Sequence, residues 1–107
     1  MTPSAPAPAR YTAARFFQLA DEGVLQPDDR VELLEGVIVA MSPHNPPHAF
    51  SVRRVYRMLD RIVLDRAVVS AQLPLVVSSD SVPEPDVAVL PGAETDYQAA
   101  HPTTALY

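Results

Sequence analysis

A chain of 107 residues, 48% of them hydrophobic, can bury one core and no more. Its 13 acidic and 8 basic side chains leave a formal charge of -5, which excludes attachment to nucleic acid by bulk charge, because phosphate contacts need a basic surface. With no cysteine it has no disulfide, thiolate metal site or cysteine nucleophile, and no apolar run approaches the ~20 residues of a membrane span.

In chain order, Thr2 to Ala9 alternates proline with alanine and serine, so residues 1–10 read as a disordered arm and order is expected from Tyr11. Met1 to Arg10 lacks the apolar stretch of a signal peptide, which with the missing cysteine points to the cytoplasm. Thr12 is a candidate N-cap for a helix over Ala13 to Ala20, with Phe16, Leu19 and Ala20 on one side and Gly23 as its stop. Gln26 to Asp29 is a turn cluster. Val31 to Leu34 and Val37 to Met41 are apolar runs around Glu35-Gly36, the pattern of a hairpin. Ser42 to Pro47 is a proline-rich loop. His48 to Asp65 is the strongest helix, with Val52, Val55, Tyr56, Leu59, Ile62 and Val63 making an apolar face. Ala67 to Ala71 and Leu73 to Val77 are extended, bent at Pro74. Ser78 to Pro85 turns, Val87 to Leu90 is a strand, Pro91 to Thr104 is a polar connection, and Ala105 to Tyr107 starts a further strand. This order gives an α+β domain.

The chemistry concentrates at Glu84-Pro85-Asp86. The proline fixes the backbone entering the strand, so Asp86 is presented at the strand's start. Carboxylates held this way are the usual hard-oxygen ligands of a divalent ion. The other reading is a turn carboxylate that caps nearby backbone N–H groups. Glu84, two residues away, faces the same side if the chain is extended, or is simply solvated. Arg53, Arg57 and Arg61 form a helical stripe that could track phosphates, although Asp60 and Asp65 favour a solvated face. His44 and His101 lie in loops without an evident partner. With three glycines there is no phosphate-cradling loop, and neither a Ser-His-Asp order nor a paired-histidine zinc spacing is read. Kinases, serine hydrolases and zinc fingers are set aside on those grounds.

Three stretches carry a family resemblance. Arg30-Val31-Glu32-Leu33-Leu34-Glu35-Gly36-Val37-Ile38-Val39-Ala40-Met41-Ser42-Pro43 resembles the hairpin that opens the Uma-two family of restriction-endonuclease-like proteins. His48, leading a helix after a proline-rich loop, looks like the family's histidine, and Pro83 to Leu90 resembles its P-D strand. The resemblance spans Tyr11 to the C-terminus and implies a PD-(D/E)XK nuclease-like fold, a mixed sheet flanked by helices, of which residues 11–107 would be the N-terminal part.

The resemblance maps Asp86 to the first metal-binding carboxylate and aligns Glu32 and His48 with the site. It implies Mg²⁺-dependent hydrolysis of DNA phosphodiesters. Bland readings stand beside it: Glu32 as the solvent-facing residue of a half-exposed strand, Glu35 as a turn residue, His48 as a helix-start residue without a ligand. The family's second site carboxylate and lysine come from a following strand. All eight cationic side chains here are arginines, so no lysine is available. The chain is therefore expected to cut little or not at all by itself. The alternatives are a non-catalytic module that dimerises or binds through an exposed sheet edge, or a piece of a longer reading frame.

Overall fold

The computed structural model describes residues 10–26 and 28–107. The arm expected before residue 10, and Pro27 of the turn cluster, lie outside the described residues.

The first helix, α1 (Ala13–Asp21), starts where Thr12 accepts the Arg15 N–H at 3.1 Å. It ends in a Schellman turn: Gly23 (φ +79°) donates to Ala20 O and Val24 to Leu19 O, at 3.1 and 2.9 Å. Ala13, Phe16 and Leu19 are its buried residues. Ala20, expected on that face, is exposed, and Ala13, two turns earlier, is buried instead.

The strands β1 (Val31–Leu34) and β2 (Val37–Ala40) pair antiparallel, with Leu34 opposite Val37. Glu35 and Gly36 both have positive φ, 49° and 81°, the signature of a type I′ hairpin. The tip is clamped from two sides. Gly36 O accepts the Tyr11 N–H and the Gly36 N–H donates to Asp80 O, each at 2.7 Å, while the Glu35 N–H donates to Ser81 Oγ at 2.9 Å. Arg10 donates to Glu35 O at 2.7 Å.

Leu33 and Val82 are both fully buried and exchange backbone hydrogen bonds of 3.2 and 2.7 Å. With Ala13 and Phe16 they form the core, wrapped by Phe17, Leu25, Ile38 and Val76. This one bridge ties the hairpin to the segment that leads to Asp86.

The second helix, α2 (Pro46–Val63), begins two residues earlier than the sequence pattern suggests. Asn45 Oδ1 accepts the His48 N–H at 2.9 Å, and prolines at the first two positions lose no intrahelical bond there. Leu64 (φ 50°) ends it in a 3₁₀ turn, Leu64–Arg66. The expected apolar face is only half covered. Val52, Leu59 and Val63 are partly buried, but Val55, Tyr56 and Ile62 are exposed, as are Phe50 and Met58, and α2 has no buried residue. The physical reason is what lies opposite: a strand of three residues, β3 (Val68–Ser70).

That strand pairs antiparallel with β4 (Ala88–Leu90), Val69 opposite Val89. Val89 also hydrogen-bonds Leu106 and Tyr107 at 2.7 Å, so β4 has neighbours on both edges and all three of its residues are buried. The extended run expected over Leu73 to Val77 is not a regular strand. Gln72 (φ 56°) turns the chain and Pro74 has no donor, yet Leu75 and Val77 still bond Pro83 O and Ser81 O, at 2.9 and 3.1 Å. The class is α+β as expected, with the strands as two antiparallel pairs. Among the described residues no helix is long and apolar enough to cross a membrane.

Candidate metal centre

Asp86 sits between Pro85 and β4, its side chain half exposed. Its Oδ2 lies 3.3 Å from His48 Nε2 in the first turn of α2. His48 is held there by the Asn45 cap, so the helix start aims its imidazole at the strand start. The His44 ring stacks on the His48 ring, centroids 4.5 Å apart and planes 9° from parallel. One ligand atom from each of His44, His48 and Asp86 falls within 4.8 Å of the other two.

Gln72 organises this corner. Its backbone N–H donates to both Pro85 O and Asp86 O, at 3.1 and 3.2 Å, and its amide nitrogen meets His44 Nε2 at 2.7 Å. One residue thereby fixes the carbonyl of Asp86 and the ring of His44.

Of the residues singled out in the sequence, Asp86 and His48 meet directly. Glu32, on β1, lines the same cleft of about 420 Å³ with Arg30, Pro43, His44, His48 and Asp86. Its Oε2 accepts the Glu84 N–H at 3.1 Å, and it is not one of the three clustered ligands. Glu32 therefore couples the hairpin to the P-D segment. No backbone N–H among the described residues donates to the Asp86 carboxylate, so a capping role for it finds no support.

His44 and Gln72 escape the sequence reading. The signal that could have found His44 is its four-residue spacing from His48, with the two side chains brought together in one cleft. It is easily missed because His44 precedes the helix cap, where helical periodicity does not apply, and nothing local points to Gln72. His101, also without an evident partner, stacks on Phe17 at 4.9 Å. Arg53 and Arg57 line a larger apolar groove of about 880 Å³ along α2, together with Phe50, Tyr56 and Asp60, and His44 lies where it adjoins the cleft.

Electrostatics favour a neutral imidazole at His44. Desolvation holds its pKa below the usual histidine range, Arg30 and His48 add to this, and Asp86 opposes it. Burial pushes the Glu84 carboxyl up; the Glu32 charge adds to that shift and Arg30 opposes it.

Two imidazoles and a carboxylate at this spacing offer a divalent ion three ligand atoms in one cleft. A family model described as "Uma2: Putative restriction endonuclease" matches residues 13–106. No curated protein and no solved structure matches the chain.

Proposed function

The chain belongs to the Uma2 family, and from that premise we propose that it is a divalent-metal-dependent endonuclease domain acting on DNA phosphodiesters in the cytoplasm. The observation that carries this reading is the meeting of Asp86 with His48 in a cleft that Glu32 also lines. Restriction-endonuclease-like families generally use divalent metals. Mg²⁺, held through Asp86 and Glu32, is the ion the family resemblance implies. An ion held there would neutralise a phosphate oxygen and lower the pKa of an attacking water.

The chain's own residues have distinct tasks. Asp86 presents a carboxylate that Pro85 and Gln72 keep in place. His48 holds Asp86 in register and offers a nitrogen lone pair for an ion or a proton. Glu32 orients the approach to β4 through the Glu84 N–H. What the 107 residues lack is a lysine to stabilise the charge that develops in the transition state. They should therefore bind an ion yet cut unactivated DNA poorly.

The test uses two substrates. Bis(p-nitrophenyl) phosphate has a good leaving group and makes small demands on the missing lysine. The expected result is metal-dependent hydrolysis that Asp86→Asn abolishes, with little nicking of supercoiled plasmid. Hydrolysis no faster than metal alone, or unchanged in Asp86→Asn, overturns the endonuclease reading. Efficient plasmid cutting overturns the claim of weak activity.

A second reading, a self-associating module, is supported by α2, whose Phe50, Met58 and Ile62 are 57%, 55% and 57% exposed. Light scattering across a concentration series tests it: a stable folded dimer supports self-association and a monomer removes it.

A further inference from the structure

We infer that the ion this cleft binds most tightly is an imidazole-preferring transition metal of the Zn²⁺ class, held by His44, His48 and Asp86, and that Mg²⁺ is a weak competitor there. The inference rests on the proposed cleft for its location, but it concerns which ion is held and not which reaction follows.

The donor set decides the class of ion. Mg²⁺ demands oxygen ligands in near-ideal octahedral geometry and dehydrates reluctantly. The three-residue cluster supplies one carboxylate and two imidazoles, and imidazole suits Zn²⁺, Co²⁺ and Ni²⁺. Geometry agrees. Ligands about 2.0–2.1 Å from a tetrahedral ion stand about 3.3 Å apart along each edge. His48 Nε2 and Asp86 Oδ2 are already 3.3 Å apart. The third ligand atom, from His44, lies no further than 4.8 Å from either.

The surroundings resemble those of built metal sites. A metal-bound histidine usually uses its second ring nitrogen to donate to a fixed acceptor, which sets the tautomer. The Gln72 amide stands 2.7 Å from His44 Nε2. The amide nitrogen is the atom placed there and donates to Nε2; exchanging the amide's nitrogen and oxygen, a rotation about its last side-chain bond, lets Nε2–H donate instead and leaves Nδ1 its lone pair. Gln72 also bonds the Asp86 carbonyl, so one residue supports two of the three ligands. Half-exposed His48 and Asp86 side chains, 42% and 50% accessible, leave coordination positions open to water or a phosphate oxygen.

The competing explanation is a simple His48–Asp86 surface pair with His44 stacked beside it. That arrangement gives His44 no part in binding. The two explanations separate on the effect of removing His44.

The experiment titrates untagged, metal-stripped protein with Zn²⁺, Co²⁺ and Mg²⁺ by calorimetry, and reads the visible absorption of the Co²⁺ form for coordination. One equivalent of Zn²⁺ should bind at least ~10-fold more tightly than Mg²⁺, and Co²⁺ should give an intense band of low coordination number. His44→Ala and Asp86→Asn should each weaken Zn²⁺ binding by ~10-fold or more, and Gln72→Ala by a smaller factor. His101→Ala, remote from the cleft, should leave it unchanged. Circular dichroism confirms that each variant is folded. Mg²⁺ binding as tight as Zn²⁺, or a folded His44→Ala with undiminished Zn²⁺ affinity, overturns the inference. Tight Zn²⁺ binding without diester hydrolysis in any metal would instead sink the endonuclease reading and leave this one standing.

Discussion

Replacing Leu33 by alanine should test whether the β1–Val82 bridge is the centre of the fold. Leu33 has no exposed surface and packs on Val82, Ala13 and Phe16. Removing its isopropyl group forfeits about 2.4 kcal/mol at ~0.8 kcal/mol per carbon group. A residual cavity adds to this, because the backbone bonds of Leu33 to Val82 hold the walls apart, which brings the expected loss to about 3–4 kcal/mol. The neighbouring Leu34, which is 38% exposed on the opposite face, is the control, and its alanine variant should lose under ~1 kcal/mol. Urea denaturation followed by circular dichroism gives both values. Because β1 also carries Glu32, whose carboxylate holds the Glu84 N–H two residues before Asp86, the Leu33 variant should lose some metal affinity even where it remains folded. Equal destabilisation by the two variants would refute the burial argument, since the same chemical truncation would then be indifferent to which face it is on.

Two further outcomes follow from the site. Asn45→Ala should cost about 1 kcal/mol of stability through the lost cap and weaken Co²⁺ binding by fraying the turn that carries His48, whereas Asn45→Asp, which keeps an acceptor, should restore both; unchanged stability in the alanine variant would remove the cap from the account. Glu84 is an acid with a raised pKa in the fold, so the folded chain binds more protons than the unfolded chain in a window just above the usual carboxylate range. Its contribution to stability falls as pH rises through that window, and the full penalty stands at neutral pH. Glu84→Gln should therefore raise the melting temperature of the metal-free protein at neutral pH, by a stability gain of fractions of a kcal/mol given the group's partial exposure, and not at about pH 3.5, where both states are protonated. An equal shift at both pH values would contradict the assignment.

Much of the local structure is legible in the residues. Thr12, Gly23 and the Glu35-Gly36 pair mark their own boundaries because caps and positive-φ turns depend on single side chains and backbone freedom. The start of α2 is displaced because the cap belongs to Asn45, inside what reads as a loop. The extent of β3 is overestimated because apolar residues between Leu73 and Val77 pair irregularly around Pro74. For the site, Asp86 and His48 are legible through the family resemblance. His44 and Gln72 are not, since their meeting depends on two turns far apart in sequence folding onto each other, and no local periodicity encodes that.

Gln72 also has a consequence for how this corner can be altered. Its backbone lies in a conformation that glycine tolerates best, so a designer seeking stability would place glycine there. Glycine would keep the two backbone links to Pro85 and Asp86 but delete the amide that steadies His44. Comfort of the main chain and definition of the ion cradle thus pull one position in opposite directions, and the side chain present resolves the conflict in favour of the cradle.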